Sequence, residues 1–251
     1  MGVGRPPRCP ADQVRVRRRR GGRSVFERLA LAADLTAWLG ARGLPVSAPV
    51  PTPDGRVQVR TDDVSMSLQR VVDGAHLDVD DPEQVHAVGA AIARLHRAMV
   101  AYPGTAGRHG VLTPPPAPAE LVAGWLDTAP EAALPLQVVQ GDYRAANVLC
   151  ADDRVVAVLD FEELRLDHRV VELARSAVML GTLFHDWGPV SEAVRQRFLD
   201  GYRSVETLTR DELRWWDVLV LWYSLALVPP GDDPTGWGRA ADEHLARIRS
   251  R

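Results

Sequence analysis

The chain contains no lysine: all thirty of its basic residues are arginine. Any cationic contact to an anion therefore comes from a guanidinium, a planar fork, and not from the compact point charge of an ammonium. Its two cysteines, Cys9 and Cys150, build no disulfide framework, so a reducing cytoplasm is the expected setting. No stretch reaches the roughly 18 apolar residues of a membrane span, and the N-terminus lacks a signal-peptide apolar core. No membrane partner is expected. A net charge of -3 gives no general attraction to nucleic acid. The one basic run, Arg17 to Arg20, has no aromatic residues interleaved with it, which disfavours a nucleic-acid patch. His96, His109, His168 and His185 show no metal-ligand spacing, and no internal repeat is visible. At 251 residues, with 46% hydrophobic and 25% charged residues, the chain is an ordinary globular protein of one or two domains.

What is present is concentrated in one block. Gln140-Gly141-Asp142-Tyr143-Arg144-Ala145-Ala146-Asn147 follows a short apolar strand through Leu136, Val138 and Val139. Val155 to Leu159 is a Val-rich apolar run too short for a helix, so it reads as a buried strand, and it ends at Asp160-Phe161. Ala151-Asp152-Asp153-Arg154 lies between two apolar runs and reads as a hairpin turn. Such a hairpin brings Asn147 and Asp160 near each other, where both can offer oxygen to one divalent ion, as magnesium prefers. Phosphoryl transfer needs this equipment: one acid to orient the attacking hydroxyl, and an amide with a second acid to hold the magnesium that bridges the phosphates.

At these residues the chain resembles the aminoglycoside phosphotransferase and choline kinase-like family, small-molecule relatives of the protein kinases. The family motif reads His-Gly-Asp, four residues, Asn, then a strand ending Asp-Phe or Asp-Trp. Asp142, Asn147 and Asp160 match it, and Gln140 stands where the His is usual. The resemblance implies Asp142 as the catalytic acid, Asn147 and Asp160 as magnesium ligands, and Arg144 as a phosphate-contacting base. Asp167-His168-Arg169-Val170-Val171-Glu172-Leu173-Ala174 is similar to the family's Asp-Pro-x-x-Asp-Leu-Ala segment, with Glu172 replacing the second acid. Trp38 to Val46 with Ala48-Pro49 resembles the end of the family's N-lobe helix and the turn after it. Leu68 to Gly74 looks like the interlobe hinge, where the nucleotide base would lie against Gln69 to Val71, and Val88 to His96 resembles a C-lobe helix. Together these cover most of residues 14–205.

The resemblance also exposes departures. The family uses a strand lysine on the α- and β-phosphates, paired to a helix glutamate. With no lysine available, Arg17, in Val14-Arg15-Val16-Arg17-Arg18-Arg19-Arg20, is the expected substitute. The family's spacing puts Ala32 at the helix-glutamate position. Glu27 lies five residues earlier, turned roughly 140° around a helix of 3.6 residues per turn. A strand, a glycine-containing loop and a second strand usually precede the lysine strand, but only about sixteen residues precede Arg17, and Gly2-Val3-Gly4 follows no strand. The expectation is a reduced N-lobe, or a start codon further upstream.

The expected architecture is α+β and two-lobed, protein-kinase-like, with a reduced N-terminal β lobe and a mostly helical C-terminal lobe. Residues 1–13, with Pro6, Pro7 and Pro10, are expected to be disordered. Residues 14–72 form the nucleotide side, with a strand near 14–19, a helix near 24–41 ended by Gly43 and Pro45, and strands near 56–60 and 64–70. Residues 73–251 form the C-lobe. There Asp81-Pro82-Glu83 opens a helix with an acid at the cap and proline at its start. Pro114–Pro118 is a connector, and helices near 119–127, 169–182, 190–203, 210–228 and 237–249 follow. Trp215, Trp216 and Trp222 read as core, and Asp211, Glu212, Asp217, Asp232 and Asp233 as a solvated acidic face, with a site for a cationic substrate as the alternative. The implied activity is transfer of the γ-phosphate of ATP or GTP, with Mg2+, to a hydroxyl of a small molecule: an aminoglycoside, amino alcohol, homoserine or sugar. Two other classes fit the same residues: a pseudokinase that binds without turnover, and a Ser/Thr protein kinase. The short interval between Phe161 and Glu172 leaves little room for the activation segment that the last would need.

Overall fold

The computed structural model describes residues 14–20, 23–104, 134–185 and 187–250. The expectations for residues 1–13, the connector Pro114–Pro118 and the helix near 119–127 lie outside them. Strand β1 (Val14–Arg20) leads into helix α1 (Arg23–Gly40), close to the expected bounds. The helix stops at Gly43, whose φ of +75° lets the Leu44 N–H reach the Leu39 carbonyl at 3.2 Å and its own N–H reach Gly40 at 3.0 Å. Strands β2 (Val59–Arg60) and β3 (Val64–Arg70) complete an antiparallel sheet of order β1-β3-β2. β1 and β3 pair along their whole length, from Val14 opposite Arg70 to Arg20 opposite Val64. β2 is shorter than expected because Arg56 is taken into a turn: its carbonyl accepts from the Thr52 N–H at 2.8 Å and its guanidinium binds Asp54 at 2.8 Å.

The second lobe is built around helix α2 (Pro82–Met99). Asp81 caps it as expected, its carboxylate accepting from the N–H groups of Glu83 at 2.9 Å and Gln84 at 3.2 Å. Strand β5 (Leu136–Val139) runs into the motif loop, and β6 (Val148–Ala151) and β7 (Arg154–Val158) form the expected hairpin. Asp152 takes a φ of +54° at its tip, a left-handed conformation that Asp tolerates better than most residues. The short β4 (Ala75–His76) pairs with β6, and β8 (Arg165–His168) pairs with β5.

Four further helices follow among the described residues: α3 (Arg169–Val178), α4 (Glu192–Arg203), α5 (Arg210–Ala226) and α6 (Trp237–Arg249). α3 ends four residues before the expected 182. The carbonyls of Leu180 and Thr182 are used instead by the N–H groups of Ala145 and Ala146, at 2.9 and 3.3 Å, so this stretch props the motif loop. Trp215, Trp216 and Trp222 are buried in the core, as is Cys150, whose thiol is pushed up to about 11 by burial. No helix among the described residues is long and apolar enough to cross a membrane.

The lobes are stitched by the segment after α1. The Val158 N–H donates to the Pro45 carbonyl at 2.7 Å and the Ser47 N–H to the Val158 carbonyl at 3.1 Å, while the Val50 N–H donates to Leu68 of β3 at 2.7 Å. One short connector thus pairs with the end of β7 and with the N-terminal sheet, and a cleft forms between them.

In the C-lobe, Glu192 pairs with Arg195 one turn along α4 at 2.9 Å and joins α4 to α6 through Arg247 at 2.8 Å. Burial alone would raise its carboxyl. The hydrogen bond with His244 and the charges of Arg195 and Arg247 outweigh this and lower it from 4.5 to about 2. A carboxyl depressed on folding stabilises the protein above its unfolded pKa and loses that contribution as pH falls through the folded one. Glu192→Gln is therefore expected to lower the melting temperature at pH 7 and to flatten its fall between about pH 4.5 and 2. Melting curves with an unchanged acid limb would contradict this.

Candidate active site

The motif loop joins β5 to β6 through a single 3-10 turn, Ala145–Asn147. It starts with a glycine for steric reasons. Gly141 has a φ of +94°, and a Cβ there would stand 2.2 Å from the Glu163 carbonyl oxygen. Gln140, which stands where the family's histidine is usual, is fully buried and crosslinks the loop to the end of β7. Its amide NH2 donates to the carbonyls of Leu159 at 3.1 Å and Asp160 at 2.5 Å, and its amide oxygen accepts from the Asp142 N–H at 2.7 Å. One side chain therefore ties the backbone of both acids together.

Asp142 points into a cluster of donors. Asn147 donates through Nδ2 to the Asp142 carboxylate and to its carbonyl, both at 2.8 Å. Arg144 approaches the carboxylate at 3.2 and 3.1 Å, and Arg175 of α3 at 3.3 and 3.4 Å. Arg175 also binds the Gly141 carbonyl at 2.7 Å. These guanidinium contacts are longer than the roughly 2.7–2.9 Å of strong charge-assisted bonds, so they balance the charge of Asp142 without locking it. With Nδ2 of Asn147 engaged, its Oδ1 is the atom left to face a cation.

Asp160 caps β7 in the left-handed region at φ +52°, a sparsely populated conformation for a residue with a side chain. The Leu159 N–H donates to the Asn147 carbonyl at 2.8 Å, which sets Asn147 beside the start of this turn. Among the described residues no three His, Cys, Asp or Glu side chains converge on a metal position. An amide and one carboxylate instead make a sparse oxygen set, which suits magnesium that keeps waters and shares the phosphates of a substrate.

A buried brace stands behind the loop. Glu172 of α3 accepts from the Gly141 N–H and meets His96 Nε2 at 2.7 Å, while His96 Nδ1 meets the Tyr202 hydroxyl at 3.0 Å. Burial would raise the Glu172 carboxyl. His96, the Gly141 N–H and Arg165 outweigh it, and the carboxyl lies below its ordinary value. The acid at the position expected from the motif is thus a support for the loop.

On the other side of Asp160 lies the interlobe cleft. Its lining includes Arg17 and Arg19 of β1, Ser65, Ser67 and Gln69 of β3, Ala32 and Thr36 of α1, and Asp160 and Glu162. Arg17 meets Asp160 at 3.1 Å and Glu162 at 3.3 Å, and Arg19 meets Glu162 at 3.0 Å. Of the expected hinge residues, Gln69 lines the cleft. Val71 is half-buried just beyond β3 and outside that lining. Ala32 faces the cleft where a helix glutamate was sought, and Glu27 is exposed.

Arg175, Arg19 and Glu162 were not singled out from the sequence. Arg175 stands three residues after Glu172, on the same helix face, which was the available signal. The C-terminal acids do not form one patch. Glu212 is buried in a capping box with Thr209 and paired with Arg169 at 2.6 Å, Asp217 pairs with Arg247 at 2.7 Å, and Asp233 accepts from backbone N–H groups at the start of α6.

A small antiparallel sheet over a helical lobe, with an acid loop and a second acid at a strand end flanking the cleft, defines the protein-kinase-like phosphotransferase fold. The family model described as phosphotransferase enzyme family matches residues 10–216, and the chain belongs to that family. It is 28% identical over 210 residues to a homoserine kinase of Methylobacillus flagellatus, an alignment covering 76% of this chain. The chain spans 64% of the length of that curated relative. Its fold is similar to that of an amicoumacin kinase solved with AMP-PNP and Ca2+, with a TM-score of 0.63 and 15% identity over 93% of this chain and 81% of that one. An aminoglycoside phosphotransferase from Alicyclobacillus acidocaldarius is similar at a TM-score of 0.64 and 13% identity, covering 94% and 86% of the two chains.

The Gln140 crosslink is testable by itself. Gln140→Leu keeps the volume but leaves the Asp142 N–H and two carbonyls without a partner, which costs about 1–3 kcal/mol per buried group. Denaturant unfolding should show a loss of stability of at least that order; an unchanged midpoint would contradict the assignment.

Proposed function

We propose that this chain is an ATP-dependent kinase of a small molecule, moving the γ-phosphate to a hydroxyl of an amino alcohol, homoserine, aminoglycoside or sugar-like acceptor. The observation that carries this reading is the shared anchoring of Asp142 and Asp160 by Gln140, with Asn147 between them. Membership of the family and likeness to a homoserine kinase support it. Residues 14–72 would be the nucleotide side, and residues 73–251 would carry the catalytic loop, the metal ligands and the acceptor site. The proposed setting is the cytoplasm, without a nucleic-acid or membrane partner. GTP in place of ATP is the same chemistry.

Asp142 would orient the acceptor hydroxyl and take its proton as the new O–P bond forms and the bond from the γ-phosphorus to the bridging oxygen breaks, releasing ADP. Arg144 and Arg175, both on the Asp142 carboxylate, would balance the charge that develops on the transferring phosphoryl group. Asn147 Oδ1 and the Asp160 carboxylate would hold Mg2+, which neutralises phosphate charge when bound. Arg17 would serve the phosphates in place of a lysine, and Gln69 would border the nucleotide. A binding protein without turnover is the second reading. The contact of Arg17 with Asp160 favours it, because that guanidinium holds the carboxylate a metal would need.

Two measurements decide between them. Asp142→Asn should cut phosphate transfer by about 10²–10⁴-fold, the usual contribution of a positioned acid–base group, with the melting temperature moved by no more than a few degrees. Retained turnover in the variant would remove Asp142 from its role. For the metal, titration calorimetry of ATP in magnesium buffer should show the magnesium-dependent part of the affinity lost in Asp160→Ala and weakened in Asn147→Ala. Equal affinities in parent and variants would count against the ligand set.

A further inference from the structure

The cations of β1 need a partner that survives metal binding. Arg17 and Arg19 sit at alternate positions of the strand, opposite Ser67 and Ser65 in the β1–β3 register, and so face the cleft together. α1 offers them no carboxylate. It lines the cleft with Leu29, Ala32, Ala33 and Thr36, and its two acids, Glu27 and Asp34, are exposed and outside that lining. Two carboxylates do face the arginines, Asp160 and Glu162. Arg17 meets Oδ2 of Asp160, and a divalent cation on that carboxylate would compete with the guanidinium for its charge. Glu162 meets both guanidiniums at once, at 3.3 and 3.0 Å, and its side chain is only 19% exposed.

We propose that Glu162 is the positioning residue for the phosphate-binding arginines: it supplies from the turn after β7 the carboxylate that α1 lacks, and so keeps Arg17 and Arg19 aimed into the cleft when Asp160 turns to the metal. The inference rests on the kinase reading above and adds to it a residue that this reading does not require. The turn that carries Glu162 is fixed. The Glu162 N–H leans on the Asp160 carboxylate at 3.4 Å, the Leu164 N–H closes back on the Phe161 carbonyl at 3.2 Å, and Phe161 and Leu164 are buried. The Arg19 guanidinium is raised above its ordinary value, chiefly by its hydrogen bond with Glu162, which accords with a standing ion pair. The charges also fit. Two arginines face two carboxylates, so a metal that takes Asp160 leaves surplus positive charge directed at the phosphates. A pair whose cation is as exposed as Arg19, at 52%, contributes little to stability. The effect of Glu162 should therefore fall on nucleotide affinity and spare the fold.

The test uses the full chain and ATP–magnesium as the probe. Titration calorimetry on Glu162→Gln should show ATP–magnesium affinity weakened about tenfold, the scale of one charge-assisted hydrogen bond, with the melting temperature unchanged and the half-saturating magnesium concentration unchanged. In an Arg17→Gln/Arg19→Gln background, adding Glu162→Gln should have no further effect, because the residue acts through those arginines. A merely structural role would lower the melting temperature in both backgrounds. Additive losses, or a shift in magnesium dependence, would make Glu162 a direct ligand and overturn the proposal. Normal affinity in the single variant would overturn it as well, leaving the kinase reading intact. Failure of the parent protein to bind ATP–magnesium at all would remove that reading and this inference with it.

Discussion

The backbone from the N–H of Val158 to the carbonyl of Asp160 is bonded from two sides. Pro45 and Ser47 hold Val158 from the N-terminal lobe, Asn147 holds the Leu159 N–H, and Gln140 holds the two carbonyls that follow. The end of β7 is the place where the lobes and the motif loop are joined in one hydrogen-bonded unit. Shifting this strand end would move Asp160, release Gln140 from Asp142, and change the distance between the sheet and the loop. Catalytic geometry needs groups held to within a fraction of an ångström, and backbone bonds in a buried place provide that better than exposed ion pairs do.

The opposite principle governs the N-terminal sheet. Its cleft face is polar, with Arg17 beside Ser67 and Arg19 beside Ser65, while Val16 on the other face is 60% exposed. Register in a sheet is usually set by which face can be buried, since a slip of one residue turns every side chain over. Here burial of Val16 does little to choose. A one-residue slip of β1 would turn Arg18 and Val16 toward the cleft and separate Glu162 from its arginines. The ion pairs across the cleft form only in this register, which the seven paired residues of β1 and β3 hold, so the site inherits its geometry from the sheet.

Parts of this arrangement were legible because their causes are local. Asp81-Pro82-Glu83 writes a cap, a proline at the first helical position and an acidic first turn, and α2 begins there. Gly43 writes a helix stop, and Asp152-Asp153 writes a hairpin tip. The spacing of Asp142, Asn147 and Asp160, with a short Val-rich strand before the last, was legible as a unit. The rest depends on partners far away in sequence. Gln140 reads as a mere replacement for histidine until its contacts across twenty residues are seen. β8, Arg-Leu-Asp-His, has no apolar alternation and exists because β5 pairs with it. The helix end at Val178 answers to the needs of Ala145 and Ala146, and nothing in residues 179–182 states them.

With no lysine in the chain, the cations that line the cleft from β1 are arginines. An ammonium on a flexible stem can be steered by one carboxylate on a neighbouring helix. A guanidinium is longer, and its fork can engage two acceptors at once. Arg17 does this, bridging Asp160 and Glu162 from the strand. A carboxylate on α1 at Ala32 would approach β1 from the helix side. The turn after β7 lies across the cleft, where the longer side chain ends. In the proposed kinase reading, a change of cation on one strand would be accommodated by a carboxylate on the segment that the strand faces, and an acid at the helix position would lose its purpose. Ala32, packed at the cleft with 8% of its surface exposed, then contributes to the core instead.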